Sequence, residues 1–330
     1  MPLPPPLTDR EILAARGPKE PVDPWQPIGA FVEPERQADG RVLDIATIFL
    51  ANRECPFRCV YCDLWRHTLD EPTPAGAIPR QIDIALERLP PASVVKLYNS
   101  GNFFDAAAIP PLDWPAIADR VRRFEQVVVE NHPLLTDERV LRFREQLDTQ
   151  LEVAMGLETA HPDVLARMNK RMTLDDFARA AGWLVEHDIA VRAFVLLRPP
   201  FLSETEGIEW ALKSIQFAFD CGATCVSVIT TRAGNGAMDR LQTGSLFTPP
   251  KLSSLEFVQQ AGIEMGRARV FADTWDVARF ADCSHCVTAR VERLQQMNLS
   301  QTILPPVICD CHKIGSPASG LVPEVPALCS

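Results

Sequence analysis

The chain has 330 residues, a formal net charge of −10, 46% hydrophobic and 23% charged residues, and ten cysteines. That length suits one α/β barrel with additions, or a large domain beside a smaller one, and the composition is that of a globular protein. The acidic total gives no support to a generally basic, nucleic-acid-gripping surface; the nearest approach to a basic run is RVRRF around Arg122.

Met1 to Leu13 is proline-rich and then charged, without the basic and apolar segments of a secretory signal. The longest apolar runs, such as IATIFLA, have strand length, so no membrane span is expected. Ten cysteines in such a chain point to metal binding rather than disulfides, and a cytoplasmic location follows as an expectation.

Residues 1–41 hold many prolines and few periodic apolar positions. They read as an extended arm wrapping the domain, with Trp25, Ile28, Phe31 and Val32 as anchors. From residue 42 onward short apolar runs alternate with amphipathic stretches, the pattern of repeated βα units. The strands read as RVLDIATIFLA, SVVKLYNS, QVVVEN, LEVAMGLET, IAVRAFVLL and ATCVSVIT. Between them QIDIALERL, WPAIADRVRRF, DERVLRFREQL, HPDVLARM, LDDFARAAGWLVEHD and TEGIEWALKSIQFAFDCG read as helices. Six βα units fit a partial (β/α)6 TIM-like barrel; a doubly wound sheet is the alternative that periodicity alone leaves open. After Thr231 the pattern weakens to a loop, a helix capped near Ser253 or Ser254, and a further strand around RARV. The expected organisation is an arm (1–41), a barrel (42–265) and a cysteine-rich C-terminal module (266–330).

The first strand runs into NRECPFRCVYCDLW, which places Cys55, Cys59 and Cys62 in a C-x₃-C-x₂-C array. Three thiolates so close can hold a soft metal or an iron–sulfur cluster. On a four-iron cluster they would leave one iron open, and an open iron implies chemistry rather than electron storage. Other polar residues follow the remaining strands: Ser100, Gly101, Asn102 and Asp105; Glu130, Asn131 and His132; Glu158 and Thr159; Arg198; Thr230, Thr231 and Arg232. In a parallel barrel these ends converge on one mouth, where the chemistry gathers.

A second group pairs Cys283 and Cys286 in CSHC with Cys309 and Cys311 in CDCH. Four soft ligands in two pairs can close a tetrahedral site, with His285 and His312 as substitutes; structural zinc is the favoured reading and an auxiliary iron–sulfur cluster the other. Cys221 and Cys225 read as core, and Cys329 as free.

The cysteine array resembles the signature of the radical SAM superfamily. That resemblance implies a [4Fe–4S] cluster whose open iron binds S-adenosyl-L-methionine (SAM), with Tyr61 contacting adenine through its backbone. SGNFFD stands where the family has a glycine-rich turn with a glutamate for the SAM amino group. Asn102 occupies the acidic slot here, which leaves Ser100 or carbonyls around Gly101 for that contact. MGLETAHPDVLARMNKRMT resembles the Elongator-like and coproporphyrinogen dehydrogenase branch, which implies Glu158 for the ribose hydroxyls and Lys170 for the SAM carboxylate, with Arg171 as competitor. KLYNSGNFFD, MGLET, VRAFVLLRPP and the paired-cysteine tail look like the radical SAM component of archaeosine synthesis and its bacterial relatives. The resemblance implies a 5′-deoxyadenosyl radical enzyme, an electron donor of flavodoxin or ferredoxin kind, and a modified nucleobase or tRNA as substrate. No separate catalytic acid or base stands out. The alternative is a non-catalytic iron–sulfur or zinc-binding nucleic-acid module, which would want a fourth ligand and a basic face.

Overall fold

The computed structural model of the chain describes residues 4–313. One eight-stranded sheet runs in sequence order through β1 (Gly29–Arg36), β2 (Val42–Phe49), β3 (Val94–Tyr98), β4 (Gln126–Asn131), β5 (Gln150–Glu158), β6 (Ala190–Leu197), β7 (Cys225–Thr230) and β8 (Arg269–Ala272). β1 is antiparallel to β2, and every later pair is parallel. The helices are α1 (Asp9–Ala15), α2 (Ala77–Arg88), α3 (Trp114–Val121), α4 (Glu138–Arg144), α5 (Pro162–Arg167), α6 (Leu174–Glu186), α7 (Glu204–Asp220), α8 (Ala237–Thr243), α9 (Leu252–Glu264) and α10 (Val287–Ser300). Among the described residues no helix is long and apolar enough to cross a membrane.

The strands read as nearly continuous apolar runs because both faces are covered. Ala46, Ile48, Val95, Leu97, Val127, Val129, Val153 and Met155 join the helices in the main core, whereas Ile45, Val94, Val128 and Ala154 cluster separately. With a two-residue period, this second set marks the concave face. Side chains from opposite ends of the sheet meet across it: Arg192 of β6 grips Glu35 of β1 at 2.7 Å, and Arg269 of β8 donates to the Arg36 carbonyl at 3.1 Å. The sheet is therefore a curled partial barrel, as the repeat pattern implies, rather than a doubly wound sheet.

Two layers fill the concavity. Lys96, Glu35, Arg192, Glu152 and Arg269 form a buried ion layer, with Lys96 2.5 Å from Glu35 and Arg192 2.5 Å from Glu152. Further toward the strand ends Phe31, Phe49, Tyr98 and Phe194 follow one another at ring separations of 5.9–6.3 Å. These four rings are only half-buried although three stand on inner strands. The concave face is thus open to solvent above the ion layer.

The N-terminal region departs from an extended arm. It contains α1, with a Thr8/Glu11 capping box, and the edge strand β1. Ile12 is its buried anchor, whereas Trp25 and Ile28 are exposed and Phe31 and Val32 half-buried. A seven-residue helix with one buried position is too short to show a period, and Pro34 is tolerated because β1 is an edge. The strand around RARV is β8. α9 is capped at Lys251 rather than Ser253 or Ser254: Glu204 accepts from the Lys251 amide at 3.0 Å and from the Ser254 hydroxyl at 2.5 Å. A carboxylate from another helix has taken the cap's place, which local sequence does not reveal.

Candidate active site and metal centres

The cysteine loop leaves the C-terminal end of β2 and is tied down from several sides. Val60 donates to the Met168 carbonyl at 2.9 Å. Asn169 reaches the Arg58 carbonyl at 2.7 Å, and Asn235 bridges the carbonyls of Val60 (2.8 Å) and Cys62 (3.0 Å). Phe57 stacks on His132 with ring centres 3.8 Å apart. The His132 Nδ1 accepts from the Leu134 amide, so its Nε2 donates to the Lys170 carbonyl at 3.0 Å. Burial, seconded by the Lys170 charge, pushes the His132 pKa down to about 3 and keeps the ring neutral.

At the end of β3 the turn 99–102 lies directly on the cysteine loop. The Asn102 side-chain amide donates to the Cys55 sulfur at 3.2 Å. A Cβ on Gly101 would stand 3.3 Å from the Cys55 Cβ, so glycine permits the approach. Glu130, at the end of β4, accepts from the amides of Asn99 (2.9 Å) and Ser100 (3.1 Å). Burial raises its pKa to about 7 in spite of these donors. Both polar side-chain atoms of the fully buried Asn99 are without a protein partner.

At the end of β5, Glu158 and Lys170 form one ion pair, Oε1 to Nζ 2.6 Å, with only 5% and 6% of each residue exposed. Lys170 also reaches the Tyr61 hydroxyl at 3.3 Å. Burial pulls the lysine pKa down, but the Glu158 charge overrides it and the net shift is upward. A Cβ on Gly156 would come within 1.9 Å of Glu158 and 2.5 Å of Lys170, so only glycine lets the pair lie there. Ser100, Glu158 and Arg198, all just at strand ends, have left-handed backbones (φ 53°, 66° and 53°). Such strain in residues other than glycine gathers at functional sites.

The structure thus brings Cys55, Cys59, Cys62, Tyr61, Ser100, Gly101, Asn102, Glu158 and Lys170 to one rim. It gives Glu158 and Lys170 to each other, and Asn102 to a cysteine sulfur. Arg171 turns outward to Asp9 at 2.6 Å, and Arg198 braces Glu204 at 2.6 Å. Asn99, Phe57, Asn169 and Asn235 escaped the sequence reading. Asn235, flanked by two glycines before a helix, carried a visible turn signal.

These residues fit an iron–sulfur cluster. Burial raises all three thiol pKa values, Cys59 to about 11, so thiolates there need a compensating cation. Asn102 supplies the amide–sulfur hydrogen bond that tunes such clusters.

The second cysteine group is also assembled. Cys283, Cys286, Cys309 and Cys311 hold their sulfurs within 4.8 Å of one another; His285 is not part of the group. Cys225 is buried in β7 and Cys221 ends α7. The side chain of His312 and all of Cys329 lie outside the described positions.

The family model of the radical SAM superfamily matches residues 51–215. That match takes in the cysteine loop and half of the chain, so the chain belongs to the radical SAM superfamily and is an enzyme. Among characterised relatives it is similar to archaeosine synthase subunit beta of Thermococcus kodakarensis, 30% identical, covering 64% of this chain and 68% of that one. The same subunit of Methanosarcina acetivorans is 26% identical over 78% of each chain. In fold the chain is similar to Methanocaldococcus infernus Elp3 lacking its N-terminus (TM-score 0.51, 15% identity, 77% of this chain and 63% of that one).

Proposed function

We propose that this enzyme reductively cleaves SAM at a [4Fe–4S] cluster held by Cys55, Cys59 and Cys62 and acts on a modified nucleobase, free or in tRNA. When bound, the cluster and SAM together supply a 5′-deoxyadenosyl radical that takes hydrogen from an unreactive carbon. The observation that carries the reading is the three-thiol loop at the barrel mouth, with the Asn102 amide on one sulfur. The chain's own residues hold and orient. Glu158 would turn from Lys170 toward the ribose hydroxyls, which would donate to its carboxylate, leaving the ammonium for the SAM carboxylate; Lys170 thereby exchanges one carboxylate for another. The Tyr61 backbone would meet adenine, and Ser100 with the carbonyls around Gly101 the amino group.

The substrate reading is supported by the likeness to archaeosine synthase subunit beta and by the half-buried rings of Phe49, Tyr98 and Phe194, against which a flat heterocycle can stack. A one-electron donor of flavodoxin or ferredoxin kind and a cytoplasmic location belong to the same reading. Anaerobic protein with dithionite and SAM should release 5′-deoxyadenosine, and Cys55→Ala, Cys59→Ala or Cys62→Ala should each abolish it; full activity in any one variant overturns the triad. Glu158→Ala should weaken SAM binding at least tenfold, the scale of one lost charged hydrogen bond at ~1.5 kcal/mol, with iron content intact. Unchanged affinity would make Glu158 a structural partner of Lys170 only. Deuterium should pass into 5′-deoxyadenosine from a deuterated nucleobase or tRNA; deuterium passing from a peptide instead would overturn that half of the proposal.

A further inference from the structure

The open edge of the barrel is closed by the helix that grows from the second cysteine group. β8 is the last strand, so its outer edge has no strand partner. α10 supplies one with side chains. The Gln301 side-chain amide, just past the end of α10, accepts from the Val270 amide (2.8 Å) and donates to the Val270 carbonyl (3.0 Å). Asn298 does the same for Ala272, at 2.9 and 2.8 Å. Two side-chain amides thus imitate a ninth strand along the edge. From the other side of the seam Arg36 of β1 donates to the Leu299 carbonyl at 3.3 Å. Gln259 of α9 fixes Asn298 at 2.6 Å, so the imitation is itself held in place.

The other end of α10 is the cysteine group. Cys286 is its N-cap, Cys283 lies three residues earlier, and residues 301–311 return along the helix. Arg293 holds that return by donating to the carbonyls of Leu304 (2.6 Å) and Pro305 (2.8 Å). Arg290 faces the Cys286 thiol and pairs with Glu256 at 2.5 Å. A nearby guanidinium is among the surroundings expected of metal-bound thiolates.

The sulfur spacing points to a single tetrahedral ion. Cys283 and Cys309 sulfurs stand 3.9 Å apart, and those of Cys286 and Cys311 3.8 Å. A tetrahedron with zinc–sulfur bonds of about 2.3 Å has edges of about 3.8 Å. A four-iron cube spreads its cysteine sulfurs wider, because each caps a different corner. Disulfides would bring each pair to about 2.05 Å.

We propose that Cys283, Cys286, Cys309 and Cys311 bind a single zinc ion, and that this site locks α10 into the seam between β8 and β1. The site is distinct from the SAM rim, and the proposal stands whether or not the nucleobase reading does. It is tested on full-length protein purified anaerobically. Elemental analysis should give about one zinc and about four irons per chain, and zinc-edge absorption should show about four sulfurs at about 2.3 Å. Cys55→Ala should lose iron and keep zinc, whereas Cys309→Ser should lose zinc and keep iron. About eight irons without zinc, a lone tetrathiolate iron in place of zinc, or two disulfides by thiol counting would each overturn the zinc assignment. Because Cys309→Ser can fail to fold, the locking role is read on wild-type protein after zinc is drawn off by a mercurial and chelator. Amide exchange at Val270 and Ala272 should then accelerate at least tenfold while Val128 of the inner strand β4 stays protected. Unchanged exchange at the β8 edge would overturn the locking role.

Discussion

Asn102 shows how one side chain ties the chain's fold to its chemistry. Its amide donates to the Cys55 sulfur, and a donor on a thiolate ligand stabilises the reduced, more negative cluster. Asn102→Ala should therefore lower the reduction potential, by on the order of 40 mV if the bond contributes about 1 kcal/mol to a one-electron couple. An electron-spin-resonance redox titration measures this, and an unmoved midpoint would separate Asn102 from the cluster. His132 gives a second residue-scale test. Its pKa falls from an ordinary value near 6.5 to about 3 in the folded chain, so between those values the unfolded chain binds more protons. Its contribution to stability is then intact above about pH 6.5 and is lost progressively as pH falls toward about 3. Glu130, raised to about 7 by burial, slopes the opposite way between about 4.5 and 7, so wild type alone blurs the two. The stability difference between wild type and His132→Gln should shrink as pH drops from 7 to 5 in urea titrations; a constant difference would mean the ring is not buried neutral. The sequence exposed the cysteines and the strand-end polar residues because spacing and position carry them. It hid the exchange of partners: Asn102 meets a sulfur through the close approach of the Gly101 turn to Cys55, and Glu158 and Lys170 meet each other through the β5 bulge at Gly156 and a left-handed Glu158.

At the scale of elements, α1 does more than its seven residues suggest. Ile12 packs with Val60 of the cysteine loop and with Met238, Leu241 and Phe247. Arg16 pairs with Glu54 at 2.7 Å, and Asp9 with Arg171 at 2.6 Å. The helix therefore clips the cysteine loop to the 168–171 segment and to α8. A Cβ on Gly236 would come within 1.8 Å of the Ala15 carbonyl, so the end of α1 fits closely. Ile12→Ala removes most of one buried side chain, at a cost of about 3 kcal/mol. Because α1 is short, that cost should appear as undocking of the clip rather than global unfolding. Reconstituted Ile12→Ala protein should release iron to a chelator several-fold faster than wild type with a nearly unchanged urea midpoint; equal release rates would show that α1 is a passive cover. The seven parallel strands were legible because each is an apolar run between amphipathic helices. β1 and α1 were not, for β1 has no clean alternation and α1 had only its Thr8/Glu11 box to announce it.

Across the whole molecule, charge has been placed where an open barrel most needs filling. The three cations Lys96, Arg192 and Arg269 and the two carboxylates Glu35 and Glu152 lie on five different strands and meet below the aromatic layer. Burial alone would raise the Glu35 pKa, but Arg192 and Lys96 overrule it and hold the carboxyl well below its ordinary range. Glu35 belongs to β1 and Arg192 to β6, so the layer also fixes how far the sheet curls. Arg192 is its hub, holding Glu35 and Glu152 at once. Arg192→Met would leave the fully buried Glu152 with only the longer pair to Arg269 at 3.6 Å, and breaking a buried ion pair in this way costs about 3–5 kcal/mol. Adding Glu152→Leu removes that charge, so the double variant should regain part of the loss. Urea denaturation of the single and double variants measures both steps. The layer sits toward the N-terminal ends of the strands, and the rim that holds Glu158, Lys170 and the cysteine loop lies at the other, so the folded double variant should bind SAM within twofold of wild type. In barrels of this kind the two ends divide stability from chemistry. A double variant that is stable yet has lost SAM binding would show that the curl fixed by Arg192 sets the rim as well.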